Sequence, residues 1–203
     1  TPRLYYASDW QMRFVFEDWE QKLWFGAWLG GIKYFDPATN ETKHFFAGDP
    51  KTSLPDDFVW SMFQSNDGTL WAHTAGKNAK VFKVKKENTL FNYVPITPES
   101  QVQVLHMEEN GDLWVGTKNT GLLNLHPERA YSIIYKNDPK KPVRPSEENH
   151  VLQSYERKLR LFDNIVEIES DKDGYLWLKK EYGKYAGLLR FHPQKGELEP
   201  FFY

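Results

Sequence analysis

The sequence predicts an all-β protein made of repeated four-stranded antiparallel units, and three observations carry that prediction. Its 203 residues include 8 Trp, 11 Tyr and 14 Phe beside 13 Gly and 12 Pro, an aromatic and turn-rich mixture that suits strands better than helices. The pair Leu-Trp recurs at Leu23-Trp24, Leu70-Trp71, Leu113-Trp114 and Leu176-Trp177, with the tryptophans 47, 43 and 63 residues apart, and such self-similarity marks a repeat architecture. Three of the pairs follow Asp67-Gly68, Asn110-Gly111 or Asp173-Gly174, dipeptides that accept the positive φ of a tight hairpin.

The elements of one unit follow in order. The first strand puts Val15, Met62, Leu105 and Ile168 in one column, uniformly apolar and therefore expected in the core. Two residues earlier stand Arg13, Trp60, Gln103 and Val166, on the same face if side chains alternate strictly. This second column is chemically mixed and lies near the strand start. The turn after the first strand holds Glu20-Gln21 in the first copy, so a looser turn or one of another type is expected there. The second strand carries the Leu-Trp pair. The third spans Gly31 to Pro37, Val81 to Lys85, Gly121 to Pro127 and Gly187 to Pro193, ending three times at a proline that halts it. The fourth runs Thr42 to Phe46, Leu90 to Val94, Tyr131 to Tyr135 and Leu198 to Tyr203.

Four strands in about 45 residues is the period of β-propeller blades. Blades are expected at 12–46, 58–94, 102–135 and 163–203, in one partial propeller domain covering 1–203. They form either a closed four-bladed ring or part of a larger propeller. An incomplete ring leaves apolar blade faces exposed, which invites association, so a homodimer is an expectation. Residues 136–162 interrupt the repeat as an insertion loop with Pro139, Pro142 and Pro145. A short helix is expected within it, from the spacing of Val151, Leu152, Tyr155 and Leu159 after the capping residue Ser146. Leu4 to Ala7 reads as the outer strand of a preceding blade.

Composition narrows the function. Lys+Arg 26 against Asp+Glu 28 gives a formal charge of −2, so no summed basic field draws the chain to nucleic acid or anionic lipid. The absence of cysteine removes disulfides, thiolate nucleophiles and thiolate metal sites together. No apolar run approaches membrane-spanning length, so direct membrane insertion is not expected; the chain opens Thr-Pro-Arg, and any signal or anchor is expected outside this segment. No His-x-x-x-His or Asp-rich calcium pattern occurs, so neither metal nor cofactor is expected. His126 and His192 align with Asp36 at the end of the third strand, where a turn-capping role serves all three. The carboxylates Glu17-Asp18, Glu108-Glu109 and Asp171-Asp173 fall around the first turn of each unit and read as solvated turn acids, so no catalytic constellation is expected.

One tryptophan per blade at a fixed position (Trp24, Trp71, Trp114, Trp177) reads as inter-blade packing. Trp10, Trp19, Trp28 and Trp60 have no such counterparts. In an up-and-down sheet the loop between strands two and three emerges at the same end as the links between blades, which places Trp10, Trp28 and the start of the Trp60 strand together. Flat rings with a polar edge suit sugar faces or peptide anchors. The expected ligand-binding residues at this end are Trp10, Arg13, Trp28, Trp60, Lys77, Gln103, Tyr182 and Tyr185, the last two in a loop enlarged in the fourth blade only.

The unit as a whole resembles the two-component regulator propeller repeat. Its best copy is Asn110-Gly111-Asp112-Leu113-Trp114-Val115-Gly116-Thr117 followed by Gly121-Leu122, and the link from Asp49 through Ser53-Leu54 to Trp60 resembles the segment joining blades in that family. The resemblance implies a periplasmic sensor region of a Bacteroidetes-type hybrid histidine kinase anchored in the inner membrane. It implies oligosaccharide as ligand and the other blades and domains of the parent sensor as partners. The alternatives are a protein-interaction or oligomerisation scaffold and, third, a polysaccharide-active enzyme.

Overall fold

A computed structural model describes residues 11–48, 54–76, 79–85, 90–94, 96, 100–126, 131–135, 162–182 and 186–201. All regular structure among them is strand, in four antiparallel four-stranded sheets with each strand beside its sequence neighbour. Two compact units hold two sheets each. Residues 1–76 and 80–94 carry β1 (Met12–Glu17), β2 (Leu23–Ala27), β3 (Ile32–Asp36), β4 (Glu41–Phe45), β5 (Val59–Gln64), β6 (Leu70–Thr74), β7 (Val81–Lys85) and β8 (Leu90–Val94). Residues 77–79 and 95–203 carry β9 (Val102–Met107), β10 (Leu113–Thr117), β11 (Leu122–His126), β12 (Tyr131–Tyr135), β13 (Ile165–Ser170), β14 (Leu176–Lys180), β15 (Gly187–His192) and β16 (Glu197–Phe201). The helix expected after Ser146 and the strand expected at Leu4 to Ala7 lie outside the described residues.

All four first hairpins close with one turn, which corrects the expectation of a looser first copy. The N–H groups of Asp18, Ser65, Glu108 and Asp171 donate to the carbonyls of Lys22, Thr69, Asp112 and Tyr175. The residues at the turn's left-handed position are Gln21, Gly68, Gly111 and Gly174, with φ of 63, 83, 87 and 80°. Gln21 tolerates that conformation because Asp18 Oδ1 accepts the N–H groups of Glu20 and Lys22 at 2.9 and 3.1 Å, pinning the loop from inside.

Of the six turn acids, Glu17, Glu109 and Asp173 are exposed, as expected, but Asp18, Glu108 and Asp171 are drawn into the packing, a second correction. Six residues before each Trp stands a polar side chain, and in three copies its carboxylate accepts the indole N–H. Trp24 bonds Asp18 at 3.0 Å, Trp114 bonds Glu108 at 2.7 Å and Trp177 bonds Asp171 at 3.0 Å. Asp18 is 3% exposed. The second copy has Ser65 there, whose hydroxyl bonds Asp67 and the Thr69 carbonyl instead, and the buried Trp71 indole N–H finds no acceptor among the described residues.

Within each unit the blades stack through unlike faces. In the first, the row Phe16–Trp24–Tyr34 and the row Phe14–Gly26–Ile32–Phe45 pack against Met62, Leu70, Ala72, Phe82, Val84 and Phe91 of the second blade. In the second unit, Trp114, Leu122 and Tyr135 pack against Ile168, Leu176, Leu178, Leu189 and Phe191. His106 and Ser170 bond across that joint at 3.0 Å. Phe162, assigned above to the insertion, is fully buried in this core. The first column therefore does not lie uniformly in the core: Met62 and Ile168 are buried, but Val15 is 55% exposed. Val15 points away from the Trp24 face, to the side of its sheet that no blade of its unit covers.

Candidate functional site

The second column owes its position to a feature that strict alternation hides. The pairing of first and second strands slips once in every blade, between Met12 and Phe14, Val59 and Ser61, Val102 and Val104, and Ile165 and Glu167. Arg13, Trp60, Gln103 and Val166 are the residues at the four slips. A β-bulge leaves its extra residue outside the ladder, so strict alternation no longer ties the face of this column to that of Val15, Met62, Leu105 and Ile168.

In the first unit the surrounding loops are tied to these bulges. The Trp28 N–H donates to the Gln11 carbonyl at 2.8 Å, and the Ala75 N–H donates to Phe58 in the same way in the next blade. Leu29 turns the loop at a φ of 54°, and the Gly31 N–H reaches the Asp57 carbonyl at 2.9 Å. The Asp57 carboxylate accepts the Ala47 N–H at 2.6 Å and Asp56 accepts the Phe58 N–H at 2.9 Å. These bonds hold the link that presents Phe58 and Trp60 against the loop that presents Trp28.

Four side chains meet as a result. Trp28 stands edge-on to Phe58, ring centroids 3.9 Å apart at 81°, and Phe58 lies 6.1 Å from Trp60. The Arg13 guanidinium carbon sits 3.8 Å over the Trp60 ring and 5.8 Å from that of Trp28. Trp28 is 43% exposed, Phe58 and Trp60 are half-buried and Arg13 is exposed. Arg13 makes no ion pair or hydrogen bond among the described residues. The cluster therefore offers two indole edges, an apolar ring and a guanidinium on one open surface.

Of the residues expected to bind ligand, Arg13, Trp28 and Trp60 are thus brought together. Gln103 lies at its own bulge in the second unit, its side-chain oxygen buried without a hydrogen-bond partner among the described residues. Tyr182, also in the second unit, is 61% exposed just beyond β14. Trp10, Lys77 and Tyr185 lie outside the described residues. Phe58 escaped sequence reasoning although it stands two residues before Trp60, because a single link aromatic carries no repeat signal. Trp19 is at the opposite, hairpin end, where its N–H donates to Gln64 Oε1 at 2.8 Å.

Ionisable groups with displaced titration lie in the packing. Full burial takes His73 from 6.5 down to about 4, and burial also lowers His106. Burial raises Glu108 against the opposing bond from Trp114. Lys180, buried at the end of β14, is lowered by desolvation with Asp163 acting the other way. Desolvation pushes Asp36 up, but the N–H groups of Ala38 and Thr39 outweigh it, so the turn-capping carboxylate stays below its ordinary range. Among the described residues no group of three or more His, Asp or Glu could hold a metal ion.

Four-stranded up-and-down sheets stacked Trp face to apolar face, with bulged inner strands opening onto a loop-bearing end, define a β-propeller repeat protein. The chain carries a match to the two-component regulator propeller repeat: that family's profile matches residues 53–76, the link, first hairpin and second strand of the second blade. A histidine kinase P4 of Formosa agariphila is 33% identical over 79 residues, which are 36% of this chain and 6% of that protein. The extracellular domain of a hybrid two-component system from B. thetaiotaomicron superposes with a TM-score of 0.67 at 16% identity, covering 95% of this chain and 22% of that one. A virginiamycin B lyase from Staphylococcus aureus shares the fold with a TM-score of 0.62 at 15% identity, covering 97% and 57%. The chain thus spans about a fifth of the extracellular domain and a smaller part still of the kinase.

Proposed function

We propose that this chain is the ligand-sensing propeller segment of a two-component regulatory protein, part of one propeller domain that lies in the periplasm on an inner-membrane-anchored hybrid histidine kinase, and that it recognises oligosaccharide. The observation that carries the reading is the convergence of Arg13, Trp28, Phe58 and Trp60 on one open edge. Indole rings with exposed faces stack on the apolar faces of sugars while their N–H groups remain available. A bound glycan acts on the signal only through different affinity for two arrangements of the sensor, which the stacked cluster supplies if neighbouring domains alter its spacing.

Thermal unfolding of the purified chain against a panel of oligosaccharides tests this. A glycan present at 100 times its dissociation constant stabilises by about 2.7 kcal/mol and raises the midpoint by about 5–10 °C for a chain of this size. The shift should disappear in Trp28→Ala and in Trp60→Ala; a shift that survives both substitutions places the site elsewhere, and none with any glycan removes the reading. A second reading, an association scaffold, is favoured by one observation, the exposed Val15 face of the first blade.

A further inference from the structure

The aromatic part of the cluster accounts for affinity toward sugars in general, but Arg13 remains to be explained. A guanidinium carries five N–H donors in a rigid plane and stays charged at any physiological pH. In most folded settings such a group is spent on a carboxylate. Arg13 instead lies against indole rings, its guanidinium carbon 3.8 Å over Trp60 and 5.8 Å from Trp28, and no carboxylate of the described residues reaches it. The two acids of the adjacent link are committed elsewhere: Asp57 to the Ala47 N–H and Asp56 to the Phe58 N–H. The contact with Trp60 leaves the N–H donors without a protein acceptor among the described residues, free to meet an oxyanion through parallel N–H bonds. The β-bulge at Arg13 keeps the side chain out of the ladder, so nothing in the sheet's packing asks for a cation there.

We infer that the cluster selects acidic oligosaccharides: the edge of the Arg13 guanidinium binds a carboxylate or sulfate of the glycan while an adjacent sugar ring packs on Trp28. This rests on the oligosaccharide reading above and adds the chemical class of the ligand. The shared chemistry is an oxyanion two or more sugar carbons from a stackable face, and it comes from two sources, uronic acids and sulfate esters.

Calorimetric titration of the 203-residue chain with three trisaccharides tests it: neutral galactotriose, trigalacturonate and a sulfated galactotriose. Charge-assisted bonds to an exposed but stacked guanidinium should make at least one acidic trisaccharide bind about tenfold more tightly than the neutral one at low salt, with the preference shrinking as salt rises. Which acidic ligand gains identifies the source. Arg13→Gln should bring acidic and neutral binding to within about twofold of each other, while Trp28→Ala weakens all three alike. Far-ultraviolet circular dichroism and the thermal midpoint of each variant show that it is folded. Equal binding of neutral and acidic ligands by the wild type, or an acidic preference that survives Arg13→Gln, overturns the inference and leaves the oligosaccharide reading standing. Failure of all three ligands, and of the wider panel, removes both.

Discussion

At the scale of single residues, the most consequential contact is the carboxylate that takes an indole N–H in three of the four first hairpins. Asp18 serves three donors at once, the Trp24 indole and the N–H groups of Glu20 and Lys22, from a buried position beneath an exposed turn. Asp18→Ala leaves those donors without partners and should cost about 2–4 kcal/mol, read as a lower urea midpoint with an unchanged slope. Asp18→Asn, which keeps the acceptor oxygen, should cost less. A pH effect belongs to His73. Its folded value is about 4 against 6.5, so between those limits the unfolded chain binds a proton that the folded chain refuses. The corresponding stability is complete above pH 6.5 and is lost as the pH falls toward 4, by about 3 kcal/mol in all. His106 adds in the same sense. Urea titrations at pH 7.5 and 4.5 should show a smaller acid loss in His73→Gln than in the wild type. The acid at six residues before each Trp was present in the sequence at Asp18, Glu108 and Asp171, but its role was illegible because a turn acid looks solvated until the indole is known to fold back over the hairpin.

At the scale of elements, the four strands of each unit were legible because Trp, turn and proline recur at fixed distances. Three features were not. The first hairpin lacks glycine, and residue type suggested another turn, whereas Gln21 adopts the same left-handed backbone as Gly68. Gln21→Gly should therefore stabilise slightly, by about 0.5 kcal/mol, the relief of positive φ being partly offset by the greater freedom of glycine in the unfolded chain. The bulges were hidden because a single slip leaves the period of two intact on either side of it. A close approach of backbones was hidden for the same reason. A Cβ at Gly116 would stand 2.7 Å from the Ile165 carbonyl oxygen and against Val104 and Ile165 side chains, in the joint between the third and fourth blades. Gly116→Ala should destabilise by about 1–3 kcal/mol, whereas alanine at Gly48, which meets nothing within 4 Å, is limited by its positive φ alone.

At the scale of the whole molecule, the number of sheets followed from the repeat, while the faces that end each unit did not. The outward face of the first blade presents Val15, paired with Phe25, whereas the Trp177 face of the fourth carries Glu167, Glu169, Lys179, Arg190 and Glu199. There Arg190 lies 3.6 Å over Tyr175 and bridges Asp171 and Glu199. Aligning the copies put Val15 in one column with the buried Met62 and Ile168, and Trp177 in one column with the buried Trp24 and Trp114, since only a neighbouring blade decides which positions are covered. If the scaffold reading holds, the apolar face is the one that associates. Light scattering should then show a concentration-dependent dimer that Val15→Lys abolishes; a monomer at every concentration counts against it.

The bulge at the start of every first strand has an implication for how such chains diversify. Because the slipped residue stands outside the ladder, its identity is freer than that of its paired neighbours, and Arg, Trp, Gln and Val occupy the four copies. Randomising positions 13, 60, 103 and 166 together should yield a population that is almost wholly folded yet broadly altered in what it retains on an immobilised-glycan column. Each blade thus contributes one exchangeable position whose side chain the sheet pairing does not dictate.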